Sequence, residues 1–228
     1  MPHELERFHQ LLVTFSRDHG DAIAVQGATE RFTYRQLLAE VGLRTHGLRT
    51  CSPGPLVLAL DSSPQLVFWD LAALFAERPC VIVPSFFSVA QFSHCIEQSG
   101  ASHVLCDPQW HGTLAELGFV QQDVFWVREA EPAAALPEGT AKITYTSGST
   151  GKPKGVCLSA AALLRVAREL EVASRPSEPQ RYLAVLPLGV LLENLGVYAA
   201  LMARASVLLY PQAQLGMGGA SQVDFKRL

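Results

Sequence analysis

Short continuous apolar runs alternate along the chain with longer stretches in which apolar residues recur every three or four positions. The runs PLVLAL (55–60), CVIVP (80–84) and HVLCD (103–107) are typical of strands covered on both faces of a parallel sheet. The stretches between these runs have the spacing of apolar residues that is typical of helices. The same spacing predicts a first helix near the start of the chain, from about 4 to 17. This alternation predicts an α/β fold with a largely parallel sheet flanked by helices.

Local signals refine this outline. Residues 22–26 and 31–34 surround a turn and predict a hairpin. Thr33 and Ser159 are predicted to cap the helices that follow them, and Gly100 to end a helix over 91–99. Further strands are predicted over 123–127, 141–146, 182–187 and 206–210, with a helix over 192–203. The segment REAEPAAALPEGT (128–140) is the best linker candidate, so we expect a subdomain boundary near 128–140 within one large domain covering 1–228.

Composition narrows the classes of protein. Of the 228 residues, 49% are hydrophobic, which is enough for a sizeable core. The net charge of -3 and the lack of a basic block argue against nucleic acid as the main partner. Five widely spaced cysteines without a CxxC pair argue against a zinc site and favour a reducing compartment, so we expect a cytoplasmic protein. The most apolar region, 183–210, carries polar interruptions and does not predict a transmembrane segment.

The stretch ITYTSGSTGKPKGV (143–156) contains three glycines, a cluster of hydroxyl residues and two lysines. It could be a solvated, turn-rich loop. Alternatively, its glycines let backbone N–H groups converge on an anion, while the hydroxyls and lysines add donors and positive charge. The order of residues does not match a Walker loop, because Pro153 follows Gly151-Lys152. It lacks the first glycine of a nucleophile elbow, and no GxGxxG dinucleotide motif is present.

The order TSGSTGKPKG (146–155) resembles the signature phosphate loop of the acyl-adenylate-forming superfamily. That superfamily includes acyl- and aryl-CoA synthetases, adenylation domains of nonribosomal peptide synthetases, and luciferases. Three more segments resemble family elements in the family's order: FTYRQL (32–37), LAALFAERPCVIVP (71–84) and LPLGVLLENLG (186–196). The last is most similar to acyl-CoA synthetases. In the second, Glu77-Arg78 stands where the family commonly has a glycine.

The resemblance implies a reaction in which a carboxylate attacks ATP to give acyl-AMP and pyrophosphate, followed by thioester formation. The implied cofactors are ATP and Mg²⁺, with CoA or carrier-protein pantetheine as the second substrate. Lys154 is the candidate catalytic residue, and Glu193 and Val190 are candidate substrate contacts, although a structural carboxylate is an equal reading of Glu193. No metal ligand is assigned. The implied nucleotide-binding residues are Thr146, Ser147, Gly148, Ser149, Thr150, Gly151, Lys152 and Lys154.

The expected partners are a fatty or aryl carboxylic acid and ATP, and an acyl carrier protein and a homodimer are further options. The family's magnesium-binding glutamate, ribose-binding aspartate and small C-terminal domain have no counterpart in the 228 residues. We therefore expect the N-terminal part of a ligase, inactive by itself. Two alternatives stay open. One is a truncated, non-catalytic homologue acting as a binding or dimerisation module, and the other is a phosphate-binding domain outside this superfamily.

Overall fold

The computed structural model describes residues 4–129, 136–146, 153–219 and 222–223. The helices, in chain order, are α1 Glu4–Asp18, α2 Tyr34–Thr50, α3 Pro64–Phe75, α4 Val89–Ser99, α5 His111–Glu116, α6 Ala160–Ser174 and α7 Leu191–Met202. The strands are β1 Ile23–Gln26, β2 Arg31–Thr33, β3 Leu56–Ala59, β4 Cys80–Ile82, β5 His103–Cys106, β6 Val120–Gln122, β7 Phe125–Val127, β8 Thr140–Thr146, β9 Lys154–Ser159, β10 Arg181–Ala184, β11 Ser206–Leu209, β12 Met217–Gly219 and β13 Gln222–Val223.

Two sheets form the framework of the described residues. The larger has seven strands in the order β6-β7-β5-β3-β4-β8-β9. Its central strands β5, β3, β4 and β8 are parallel, and the pairings at both ends are antiparallel. The second has the order β10-β11-β1-β2, with β11 parallel to both neighbours. The α/β class is confirmed, and the predicted strands are divided between these two sheets.

Strand β3 shows why the apolar runs are continuous. Leu56 and Leu58 belong to a core cluster shared with α1, α2, α3 and α7, whereas Val57 and Ala59 belong to a second cluster on the opposite face. All four residues are buried. Successive side chains of a strand point to opposite faces, so a strand covered on both sides needs an apolar residue at every position.

The three predicted helix caps, at Thr33, Ser159 and Gly100, are confirmed. Thr33 forms a capping box with Gln36, and the Ser159 side chain accepts a hydrogen bond from the Ala162 N–H. Both arrangements satisfy N–H groups that the first helical turn leaves unpaired. Gly100 ends α4 in the left-handed conformation, with φ 63°, which glycine adopts without a steric cost.

A polar network lies inside the core and joins three elements. Lys142 on β8 donates to Asp70 on α3 at 2.5 Å and to Asn194 on α7 at 2.6 Å. Asp70 also accepts from Asn194 at 2.8 Å and from Tyr198 at 2.7 Å. Lys142, Asp70 and Asn194 are each less than 5% exposed. Burying the two opposite charges is tolerated because they pair with each other and with further hydrogen-bonding groups.

The subdomain boundary predicted near 128–140 falls partly on 130–135, outside the described residues, and it stays a prediction. Before this gap, the Arg128 N–H donates to the Ser102 carbonyl at 3.0 Å, which ties the end of β7 to the start of β5. All five cysteines are free thiols. Within the described ranges, no helix has the length and apolar character needed to cross a membrane.

Candidate functional site

Strands β8 and β9 form an antiparallel pair that holds the two ends of the phosphate-loop motif side by side. Thr146 lies opposite Lys154, and Tyr145 lies opposite Gly155. Because β8 runs parallel to β4, the loop begins at the carboxyl edge of the central strands. Ligands of open α/β sheets characteristically bind at that edge. The remaining predicted nucleotide-binding residues lie outside the described residues: Ser147, Gly148, Ser149, Thr150, Gly151 and Lys152.

Lys154, the predicted catalytic lysine, begins β9 and is exposed. In the described part of the chain it takes part in no ion pair. Its ammonium group is therefore not neutralised by any carboxylate of the described residues. Thr146, across the ladder, is also exposed and places its hydroxyl group at the other end of the motif.

Helix α4 contacts both ends of the loop. The Tyr145 hydroxyl donates to the Cys95 carbonyl at 3.3 Å, and burial raises the pKa of Tyr145 above its usual range. The His94 Nε2 atom lies 3.0 Å from the carbonyl oxygen of Pro153, the residue before β9. The sequence pattern did not indicate these contacts, since His94 belongs to a helix far from the motif in the chain.

The connection between β10 and α7 reaches the same sheet edge. A Cβ atom added to Gly189 would lie 2.7 Å from the Pro84 nitrogen and 2.9 Å from the Ile82 carbonyl oxygen. The close approach therefore requires glycine, and it seats the connection directly on the end of β4, the neighbour of β8. Val190, a predicted substrate contact, follows immediately and is half-buried as the N-cap residue of α7.

Glu193 lies in the first turn of α7 and is 5% exposed. One carboxylate oxygen accepts from the Tyr182 hydroxyl at 2.5 Å and the other from the Leu186 N–H at 2.8 Å. Burial and the adjacent carboxylate raise the pKa of Tyr182. These contacts fix the β10–α7 connection, as expected of the structural reading of Glu193. The assignment of Glu193 and Val190 to substrate stays a prediction.

The departure from glycine at 77–78 has a local explanation. Glu77 adopts φ 55°, the left-handed conformation that glycine accepts more readily. Arg78 is buried and donates to the Gly54 carbonyl at 2.7 Å and to His103 Nδ1 at 2.8 Å. Ser102 lies 2.9 Å from the same ring nitrogen. Arg78 is therefore a structural residue at the amino ends of β4 and β5, opposite the loop edge.

The described residues contain no group of three or more histidine, cysteine or acidic side chains that could hold a metal ion. At the described ends of the loop, the side chains available to a bound anion are the Thr146 hydroxyl and the Lys154 ammonium group. This set of groups is suited to phosphate oxygens.

Comparison with known proteins agrees with the geometry. The sequence profile of the AMP-binding enzyme family matches residues 13–222. The chain is 32% identical over 155 residues to a polyketide synthase–nonribosomal peptide synthetase of Aspergillus flavipes, covering 63% of this chain and 4% of that protein. It is 30% identical over 177 residues to gramicidin S synthase 2 of Brevibacillus brevis, covering 74% of this chain and 4% of that protein.

Among solved structures, the fold matches O-succinylbenzoate coenzyme A synthetase of Bacillus subtilis in complex with AMP. The TM-score is 0.69 at 21% identity, covering 89% of this chain and 55% of that one. The chain therefore spans about half of that synthetase and a small part of the curated relatives. Together with the hairpin at the sheet edge, the matched profile shows that the chain belongs to the AMP-binding enzyme family.

Proposed function

We propose that this chain provides the ATP-phosphate site of an enzyme that activates a carboxylic acid as an acyl-adenylate. A carboxylate oxygen attacks the α-phosphorus of ATP, the bond between the α-phosphorus and the bridging oxygen breaks, and pyrophosphate leaves. The thiol of CoA or of a carrier-protein pantetheine then displaces AMP to give a thioester. The observation that carries this proposal is the paired β8–β9 hairpin, which closes the matched motif at the carboxyl edge of parallel strands.

The role of the loop follows from where charge develops. Negative charge accumulates on the departing pyrophosphate, and prearranged N–H, hydroxyl and ammonium donors stabilise it. The ladder places Thr146 and Lys154 at opposite ends of the same loop, so both can serve one anion. The intervening residues, Ser147 to Lys152, supply the other donors in this proposal.

Mg²⁺ fits this proposal as a companion of ATP. The ion keeps several waters and binds through one or two carboxylates together with substrate phosphates. No carboxylate lies among the described residues that begin or end the loop, so we assign it no ligand in this chain. When bound, the ion neutralises charge on the phosphate oxygens. A solved synthetase of similar fold was captured in complex with ATP and a magnesium ion.

For the acid, we propose a fatty or aryl carboxylate next to the β10–α7 connection. Val190 and Leu191 are half-buried and Leu192 is exposed, so this connection presents apolar side chains outside the core, and Gly189 seats it on the end of β4, beside the strand that leads into the loop. The matched solved structures include CoA synthetases, whereas the curated relatives above are peptide synthetases. CoA and carrier pantetheine therefore both stay in the proposal as thiol acceptors.

Carboxylate-dependent exchange of labelled pyrophosphate into ATP tests the proposal in the protein that carries this chain. A panel of fatty and aryl acids should support exchange. Lys154→Ala should lower the exchange rate by about 100-fold, since one lost electrostatic donor costs roughly that much, and by more than Lys152→Ala. The matched control is Arg165→Ala, which removes an exposed cation on α6.

Three outcomes separate the alternatives. Exchange that requires Lys154 supports the ligase. Pyrophosphate binding without exchange for any acid supports the non-catalytic binding module instead. Equal losses from Lys154→Ala and Arg165→Ala would contradict a specific role for the loop lysine.

A further inference from the structure

Two consecutive residues of α4 hold the two ends of the phosphate loop. The carbonyl of Cys95 accepts from the hydroxyl group of Tyr145, which is the next-to-last residue of β8 before the loop. His94 meets the carbonyl of Pro153, the first described residue after the loop. One helical turn therefore fixes both the entry and the exit of a segment whose ends already face each other across β8 and β9.

Helix α4 is suited to act as a rigid support. Ser88 closes a capping box with Gln91 at its start, and Gly100 ends it in the left-handed conformation. Phe92 is fully buried and stacks on Trp110 with ring centroids 4.2 Å apart. A helix that is capped at both ends and buried along one face has little freedom to move. A group hydrogen-bonded to such a helix is therefore held in a fixed position.

The contact between His94 and Pro153 has a defined direction. The Pro153 carbonyl can only accept, so His94 Nε2 carries the hydrogen and donates it. Pro153 has no N–H, so the carbonyl is its one backbone hydrogen-bonding group, and the residue is buried. A buried carbonyl without a donor is costly, and a half-buried imidazole reaching across from α4 meets that need.

We propose that His94 is a positioning residue for polyphosphate binding: it fixes Pro153, and thereby the point from which Lys154 approaches the anion. The inference rests on the proposed function of the loop, and it adds a residue that lies outside the motif. Pro153 has a fixed φ angle, so holding its carbonyl also restricts the direction of the chain into Lys154. Even a small misalignment of the Lys154 ammonium group should weaken its charge-assisted binding to the anion.

The test is calorimetric titration of the protein with pyrophosphate, and with AMP as the comparison ligand. His94→Ala should weaken pyrophosphate binding by about tenfold, the equivalent of one hydrogen bond, and leave AMP binding within about twofold of wild type. His94→Gln should restore most of the affinity, because the glutamine amide can donate from nearly the same place as Nε2. His46→Ala, an exposed histidine on α2, is the matched control, and thermal unfolding shows that each variant is folded.

The outcomes distinguish this inference from the proposed function. If wild type binds pyrophosphate through Lys154 and His94→Ala binds equally well, the inference is wrong and the phosphate site stands. If pyrophosphate and AMP affinities fall together, or if His94→Gln is as weak as His94→Ala, His94 contributes packing alone and the inference is also wrong. If wild type does not bind pyrophosphate, the proposed function fails and the inference fails with it.

Discussion

Gly155 lies directly against the ring of Tyr145. A Cβ atom at Gly155 would lie 3.3 Å from two ring carbons of Tyr145 and 3.0 Å from the Cγ2 atom of Ile143. Both neighbours are buried on β8, and Tyr145 is held by its bond to Cys95. The glycine of the motif therefore leaves room for the close approach of β9 to β8, in which Lys154 lies opposite Thr146.

Gly155→Ala should push β9 away from β8. We expect it to lower the free energy of unfolding by about 1–2 kcal/mol, as overpacking commonly does, and to weaken pyrophosphate binding about fivefold or more through displacement of Lys154. Urea denaturation and calorimetry measure the two effects. Gly47→Ala on α2 is the control, because a Cβ there meets no atom within 4 Å. Unchanged pyrophosphate affinity in Gly155→Ala would contradict this account.

Substitutions of the buried pair Asp70 and Lys142 should have strongly non-additive effects on the free energy of unfolding. Lys142→Met leaves the Asp70 carboxylate buried without its cation, so we expect a loss of about 3–5 kcal/mol in the free energy of unfolding. The double variant Asp70→Asn with Lys142→Met removes both charges and should be more stable than Lys142→Met alone. Urea denaturation of wild type, both single variants and the double variant gives the coupling energy. Additive losses would show that the two charges do not depend on each other.

Glu77 offers a stabilising substitution. Its left-handed φ of 55° is unfavourable for a residue with a Cβ atom, by about 1–2 kcal/mol. Glu77→Gly relieves that cost but makes the unfolded chain more flexible, so we expect a net gain of up to about 1 kcal/mol. Thermal unfolding measures it. Glu40→Gly, in the interior of α2, is the contrasting control and should destabilise the protein. A loss of stability in Glu77→Gly would refute the strain argument.

His103 predicts a stability loss in mild acid. Burial, and then the neighbouring Arg78, lower its pKa to about 4 from an ordinary value of 6.5. Between these values the unfolded chain binds a proton that the folded protein excludes, so stability falls as the pH drops from about 6.5 towards about 4. The contribution is about 2 kcal/mol between about pH 7 and about pH 5.

His103→Asn should remove that part of the pH dependence, because its amide oxygen can still accept from Arg78 and Ser102 but does not titrate. Urea denaturation at the two pH values, for this variant and wild type, isolates the contribution of His103 from those of the carboxylates. His46→Gln, at an exposed position, is the matched control for replacing a histidine. An identical slope in wild type and His103→Asn would show that His103 does not titrate in this window.

The fold was predictable wherever its cause is local. The apolar run of β3, the capping box at Thr33 and the left-handed Gly100 each carry a signal within a few residues. The division into two sheets has no such signal, since it depends on Val25 pairing with Val207 from the other end of the chain. Strand β6 is exposed throughout and reads VQQ, so no hydrophobic pattern marked it.

An ordered motif in the sequence indicated the candidate site. The contacts that remote residues make near this site had no sequence signal. The residue order from Thr146 to Gly155 resembles the family's phosphate loop, and the binding role of these residues stays a prediction. The contacts at this sheet edge come from remote elements: His94 of α4 meets the Pro153 carbonyl, and Gly189 of the β10–α7 connection packs against the end of β4. Each of these residues contacts backbone atoms of a distant segment, and the spacing of apolar residues does not indicate such a contact.

The placement of β11 between β10 and β1 has a consequence for biosynthesis. The β1–β2 hairpin emerges from the ribosome early, yet its parallel neighbour is among the last described strands to be made. At roughly 5–20 residues per second, the open side of β1 waits on the order of ten seconds or more for that neighbour. During that interval the edge of β1, a largely apolar strand, stays unpaired and is prone to aggregation. A holdase chaperone should therefore protect the nascent chain most before β11 leaves the exit tunnel.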